Sequence, residues 1–169
     1  SVTEEQWDYI AKGKTASMFQ WCGRSVAHIA NDTKAVRCFD DFGKHFGIAF
    51  QLADDLLDVH PGESGKTPYA DLRNKNPSYP IILAQQHSKK FSRALHRAWS
   101  TDTKNESEIA LLGEMIISSG AADQTLERIN TEVKYAVNAL EDYINLPGVQ
   151  VIAQFAIDMC LRFTKSEAV

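Results

Sequence analysis

The run Gln51-Leu52-Ala53-Asp54-Asp55-Leu56-Leu57-Asp58 holds the densest group of chemically capable side chains in this sequence. Asp54 and Asp58 are four residues apart, so on a helix they share one face, one turn from each other. Asp55 lies beside them, and Gln51 stands one turn earlier on the same side. Like charges at this spacing cost a helix about 0.2–0.5 kcal/mol per pair. Negative charge near a helix C-terminus is also unfavourable. A bound cation would offset both costs. The donors are all oxygens, with no Cys or His at metal spacing, which suits a hard ion such as magnesium. Magnesium held by one or two carboxylates keeps its other positions for water and phosphate oxygens. The cluster therefore points to a phosphate-bearing ligand. The plainer alternative is a solvated acidic helix face.

The flanking residues bear on that choice. Downstream come Gly65-Lys66, then Asp71, then Asn74-Lys75; upstream come Lys14-Thr15. One further carboxylate and several ammonium groups are what a metal–diphosphate ligand requires, since lysine binds phosphate well as a point charge. Each lysine taken singly reads as a solvated surface residue.

These groups need elements to position them, and helical periodicity dominates. Thr3-Glu4-Glu5 opens a helix expected to run to about Ala30, with acidic residues in its first turn. Asn31-Asp32-Thr33 reads as a break and N-cap. Val36, Phe39, Phe42, Phe46, Phe50, Ala53 and Leu57 then recur at three- and four-residue steps, an amphipathic helix ending near Val59. His60-Pro61-Gly62, Ser64-Gly65, Pro68, Pro77 and Pro80 make residues 60–78 a long polar loop. Further helices are expected over Pro80–His87, Lys90–Trp99, Glu108–Ser119, Ala122–Tyr143 and Val149–Phe163. Alternating β-branched residues are scarce. The fold class is all-α, a helical bundle, and residues 1–169 read as a single domain without linker or repeat.

Composition agrees. The 169 residues are 44% hydrophobic and 24% charged, ordinary values for a globular protein. A net charge of −4 argues against general nucleic-acid binding. Cys22, Cys38 and Cys160 form no CxxC pair, so neither a zinc site nor a disulfide framework is indicated. No apolar run reaches membrane-spanning length, and the acidic start lacks the pattern of a signal peptide. The expected compartment is the cytoplasm, or an organelle if a targeting segment has been removed. His28, His45, His60, His87 and His96 are scattered and carry no expected role.

Phe50-Gln51-x-x-Asp54-Asp55-x-x-Asp58 resembles the second aspartate-rich motif of the trans-isoprenyl (polyprenyl) diphosphate synthases. Lys14-Thr15-Ala16 resembles that family's KTA motif. Phe42-Gly43-Lys44-x-x-Gly47-Ile48-Ala49-Phe50 resembles its approach helix. Gly65-Lys66, Asp71-Leu72 and Lys75 resemble the loop that follows, and Pro80-Ile81-Ile82-Leu83-Ala84 the next helix. The resemblance implies the isoprenoid-synthase type of helical bundle, here its C-terminal portion. It implies magnesium held by Asp54, Asp58 and Asp71 with Asp55 supporting, and substrate diphosphate bound by Lys14, Lys66 and Lys75. Thr15 and Gln51 would stand near the carbon that loses diphosphate. The implied reaction is prenyl transfer: an allylic diphosphate ionises, the double bond of isopentenyl diphosphate attacks, and a proton leaves. The implied assembly is a homodimer or heterodimer, with an apolar product suited to delivery to a membrane.

The sequence departs from the family in carrying one aspartate-rich motif where members carry two. Asp40-Asp41 and Glu141-Asp142 each lack the third carboxylate. A truncated enzyme, a natural half that needs a partner, and a non-catalytic subunit are the three readings of that departure. A terpene cyclase of the same helical type is a further alternative, against which the KTA and Gly-Lys patterns weigh. Such a chain alone is expected to bind diphosphate weakly and turn over negligibly.

Overall fold

The computed structural model describes residues 2–59, 68–101 and 105–161, and every regular element among them is helical. Helix α1 (Glu4–Ala11) starts with a reciprocal cap. Thr3 Oγ1 accepts from the Gln6 N–H at 3.3 Å, and Gln6 Oε1 accepts from the Thr3 N–H at 3.0 Å. The expected long first helix continues to Ile29, with one difference. Residues Lys12–Ala16 widen into a π-helical turn before α2 (Ser17–Ile29) resumes the α geometry. Single π turns inside α-helices tend to mark functional segments. Asn31, at φ +56°, turns the chain out of α2. Asp32 then caps α3 (Thr33–Val59), its Oδ1 accepting from the Lys34 and Ala35 N–H groups at 2.9 Å each. Those backbone bonds, with the Tyr143 hydroxyl at 2.8 Å, hold the Asp32 carboxyl below its ordinary value.

Part of the segment expected to be irregular is ordered as a helical turn, α4 (Ala70–Arg73). Helix α5 (Tyr79–His87) carries Pro80 in its first turn, where the missing N–H is harmless. Residues Tyr79–Ala84 are buried on every side, which is why α5 shows no one-sided stripe. Ser88 caps α6 (Lys89–Ser100) and Asn105 caps α7 (Glu106–Ser118). Gly120, at φ +76°, leads into α8 (Ala121–Ala139). The expected helix to Tyr143 ends earlier, and Glu141–Tyr143 form a 3₁₀ turn. Helix α9 (Pro147–Cys160) follows, and its expected extension to Phe163 lies outside the described residues.

The chain groups into two compact units, one of Ser1–Trp7 and Asp54–Glu127, the other of Asp8–Ala53 and Arg128–Val169. In the first, Leu56, Leu72, Ile81, Phe91, Leu112 and Ile116 are fully buried, each contributing about 1.5–3 kcal/mol. In the second, Phe46 is 3% exposed, with the rings of Phe19, Phe50 and Phe155 centred 4.7–6.1 Å away. Phe46 is therefore core. Here too α3 comes close to the π turn, and a Cβ on Gly47 would overlap the Ala16 backbone.

Candidate functional site

The aspartates of α3 face different surroundings although they are neighbours in sequence. Asp54 is exposed, whereas Asp55 is 5% exposed. Asp55 Oδ2 accepts from the Trp7 indole N–H at 2.8 Å and from the Tyr79 backbone N–H at 2.9 Å. The Trp7 and Tyr79 rings lie 5.0 Å apart, and the Tyr79 hydroxyl donates to Glu4 Oε2 at 2.6 Å. Asp55, expected to support a metal, turns its carboxylate into the first unit and ties α1, α3 and α5 together. Adjacent residues on a helix point about 100° apart, so one must face inward when its neighbour faces out. No sequence signal singled out Trp7 or Tyr79 as its partners.

Asp58, half-buried, accepts from two backbone N–H groups beyond the loop. Oδ1 takes the Ala70 N–H at 2.8 Å and Oδ2 takes the Asp71 N–H at 2.9 Å. The Tyr69 N–H adds a bond to the Asp58 carbonyl at 2.8 Å. The sequence thus folds back so that Asp71 stands against Asp58. Asp71 Oδ1 accepts from Asn76 Nδ2 at 2.8 Å. Burial first, then the charges of Asp58 and Asp54, push the Asp71 carboxyl above its ordinary value, against the pull of the Asn76 bond.

Asp54, Asp58 and Asp71 offer oxygen donors only, the donor chemistry of a hard divalent ion, and each oxygen of Asp58 keeps a second lone pair beyond its N–H bond. Among the described residues, no three Asp, Glu, His or Cys side chains converge as ready metal ligands.

In the second unit, the π turn and α3 bring Thr15 and Gln51 together. Thr15 Oγ1 donates to Gln51 Oε1 at 2.9 Å, which orients the amide. Gly47 makes that approach possible, because any side chain there would push the Ala16 backbone away. Lys14, on the same π turn, is exposed. The lysines after α3 divide. Lys66, with Gly65, lies outside the described residues. Lys75, at φ +56°, donates from Nζ to the Thr101 carbonyl at 3.2 Å. It also lines a cavity of about 700 Å³ in the first unit with Gln6, Gln85, Leu95, His96 and Trp99.

Three comparisons give this geometry a context. A sequence model of the family described as polyprenyl synthetase matches residues 1–116. A (2E,6E)-farnesyl diphosphate synthase of Mycobacterium tuberculosis is 34% identical over 119 residues, covering 66% of this chain and 33% of that protein. An all-trans-nonaprenyl-diphosphate synthase of Rhodobacter capsulatus is 32% identical over 142 residues, covering 83% of this chain and 43% of that protein. A solved polyprenyl synthase from Caulobacter crescentus, complexed with calcium and isoprenyl diphosphate, superposes with a TM-score of 0.86 at 26% identity. That superposition covers 95% of this chain and 50% of the other. The chain thus spans half or less of the length of these relatives.

Proposed function

The chain belongs to the polyprenyl synthetase family, and on that premise we propose that it is the metal-binding portion of a magnesium-dependent prenyltransferase. The reaction joins an allylic diphosphate to isopentenyl diphosphate and yields a longer trans-polyprenyl diphosphate. The observation that carries this reading is the pairing of Asp71 with Asp58 across the loop, in range of the Asp54 charge. A solved relative holding both a divalent cation and an isoprenyl diphosphate supports it.

In the first unit, Asp54, Asp58 and Asp71 hold the metal, and Lys66 and Lys75 bind diphosphate. Asp55 supports them by fixing the helix that carries Asp54 and Asp58. In the second unit, Lys14 binds diphosphate, while Thr15 and Gln51 present polar atoms to the allylic carbon as it turns cationic. Magnesium, when bound, would neutralise the charge gathering on the leaving diphosphate. Lysine ammonium groups add to the same stabilisation.

The test is prenyl transfer from farnesyl diphosphate with labelled isopentenyl diphosphate and magnesium. The chain alone is expected to turn over negligibly, because it carries one aspartate-rich cluster. Supplemented with the N-terminal portion of a related synthase, it should give labelled product that Asp54→Asn abolishes. Product that survives Asp54→Asn in that mixture would refute the assignment. A chain that turns over alone at the rate of a complete synthase would refute the need for a second half.

A further inference from the structure

Tyr69 occupies a backbone region that side-chain-bearing residues rarely adopt, φ +63° and ψ +34°. Such a conformation in an aromatic residue persists only where its surroundings hold it. Here the holder is Gly113 of α7. A Cβ built on Gly113 would overlap the Tyr69 ring, so the ring fills the space that the glycine leaves open. Gly113 itself is buried and lies within a regular helix, where glycine is otherwise a poor choice. Both halves of this contact thus carry a local cost, and the contact between them accounts for both.

The same face of α7 holds the other end of α4. Glu106, two turns before Gly113, pairs with Arg73, Nη2 to Oε2 at 2.6 Å. The pair is bidentate, with Arg73 Nε reaching Glu106 Oε1 at 3.0 Å, and the side chains are 18% and 65% exposed respectively.

What the anchors fix is the register of Ala70 and Asp71. The Tyr69 N–H reaches the Asp58 carbonyl, and the next two N–H groups reach the Asp58 carboxylate. With Tyr69 in another backbone region, the chain would leave Asp58 in a different direction, and Asp71 with it.

We propose that Tyr69 is a positioning residue for the candidate metal site: its ring, seated against Gly113, sets the turn that holds Asp71 against Asp58. This rests on the metal reading of those carboxylates. Tyr69 acts through Asp71.

The test is a double-mutant cycle on the whole chain, comparing the parent with Gly113→Ala, Tyr69→Ala and the pair together. Tyr69→Phe and Asp71→Asn serve as controls. The readouts are Mn²⁺ affinity in the presence of inorganic diphosphate, by electron paramagnetic resonance, and the metal-free thermal midpoint. Affinity is measured well below the lowest midpoint. Gly113→Ala and Tyr69→Ala are each expected to weaken Mn²⁺ binding about five- to tenfold; alanine removes the ring but keeps the Cβ that disfavours positive φ. The double variant should match Tyr69→Ala alone, because the added methyl then meets no ring. Tyr69→Phe keeps the ring and should bind as the parent does. Midpoints that fall while affinity stays at the parent value would make the contact purely structural and overturn the proposal. So would two affinity losses that simply add. Should the parent bind Mn²⁺ no better than Asp71→Asn, the metal reading itself fails and takes the proposal with it.

Discussion

At the scale of single residues, the motif divides its labour. Asp54 is exposed, Asp58 clamps the returning chain, and Asp55 is an internal acceptor. Asp55→Ala should cost about 3 kcal/mol in urea unfolding, since it removes the acceptor of two buried donors. Asp54→Ala should leave stability nearly unchanged; equal losses would mean that the inward and outward roles are misassigned. Asp71 behaves in the opposite sense. Its carboxyl titrates above the unfolded value, so the ionised form disfavours the folded chain at neutral pH. Acidification through the raised value returns that stability. Asp71→Asn should therefore raise the metal-free melting midpoint at pH 7 and flatten its rise toward acid. A lower midpoint at pH 7 would contradict the crowding of charges. Of these roles, the acidic spacing was legible in the sequence and the division was not. Which of two adjacent aspartates turns inward depends on partners 48 and 24 residues away, Trp7 and Tyr79. Tyr69 was equally hidden, because no sequence pattern announces an aromatic residue at positive φ.

At the scale of elements, periodicity located the long helices because each buries one stripe. Asp32 was readable as the cap of α3 for the reason it works: a short acidic side chain just before the apolar repeat. Two elements escaped. The π turn at Lys12–Ala16 leaves no mark on a three- and four-residue pattern, because one widened turn shifts the stripe only slightly. Helix α4 is a single turn held by Asp58, Tyr69 and Arg73, so its cause is tertiary. The close approach of α3 to the π turn gives a prediction at this scale. Gly47→Ala should cost about 1–3 kcal/mol by forcing the Ala16 backbone away, and it should break the bond from Thr15 to Gln51. Gly148→Ala, where nothing stands within 4 Å, should be neutral or slightly stabilising. Thermal unfolding of both variants checks this, and a neutral Gly47→Ala would mean that the contact is looser than drawn.

At the scale of the whole molecule, family membership was legible because the motifs keep both their residues and their order along the chain. Composition alone would have given only an acidic helical protein. The chain spans 33% and 43% of two curated relatives, so its chemistry is best tested at the step its own residues can perform. That step is magnesium-dependent diphosphate binding. The decisive measurement is calorimetric titration of the chain with inorganic diphosphate, with and without magnesium, in the parent and in Asp54→Asn. Asp54 is exposed, so its replacement tests ligation without disturbing the fold. Binding that requires magnesium and is lost in Asp54→Asn is the expected result. Binding that is as strong without magnesium, or unchanged in Asp54→Asn, contradicts the assignment of these carboxylates to the metal.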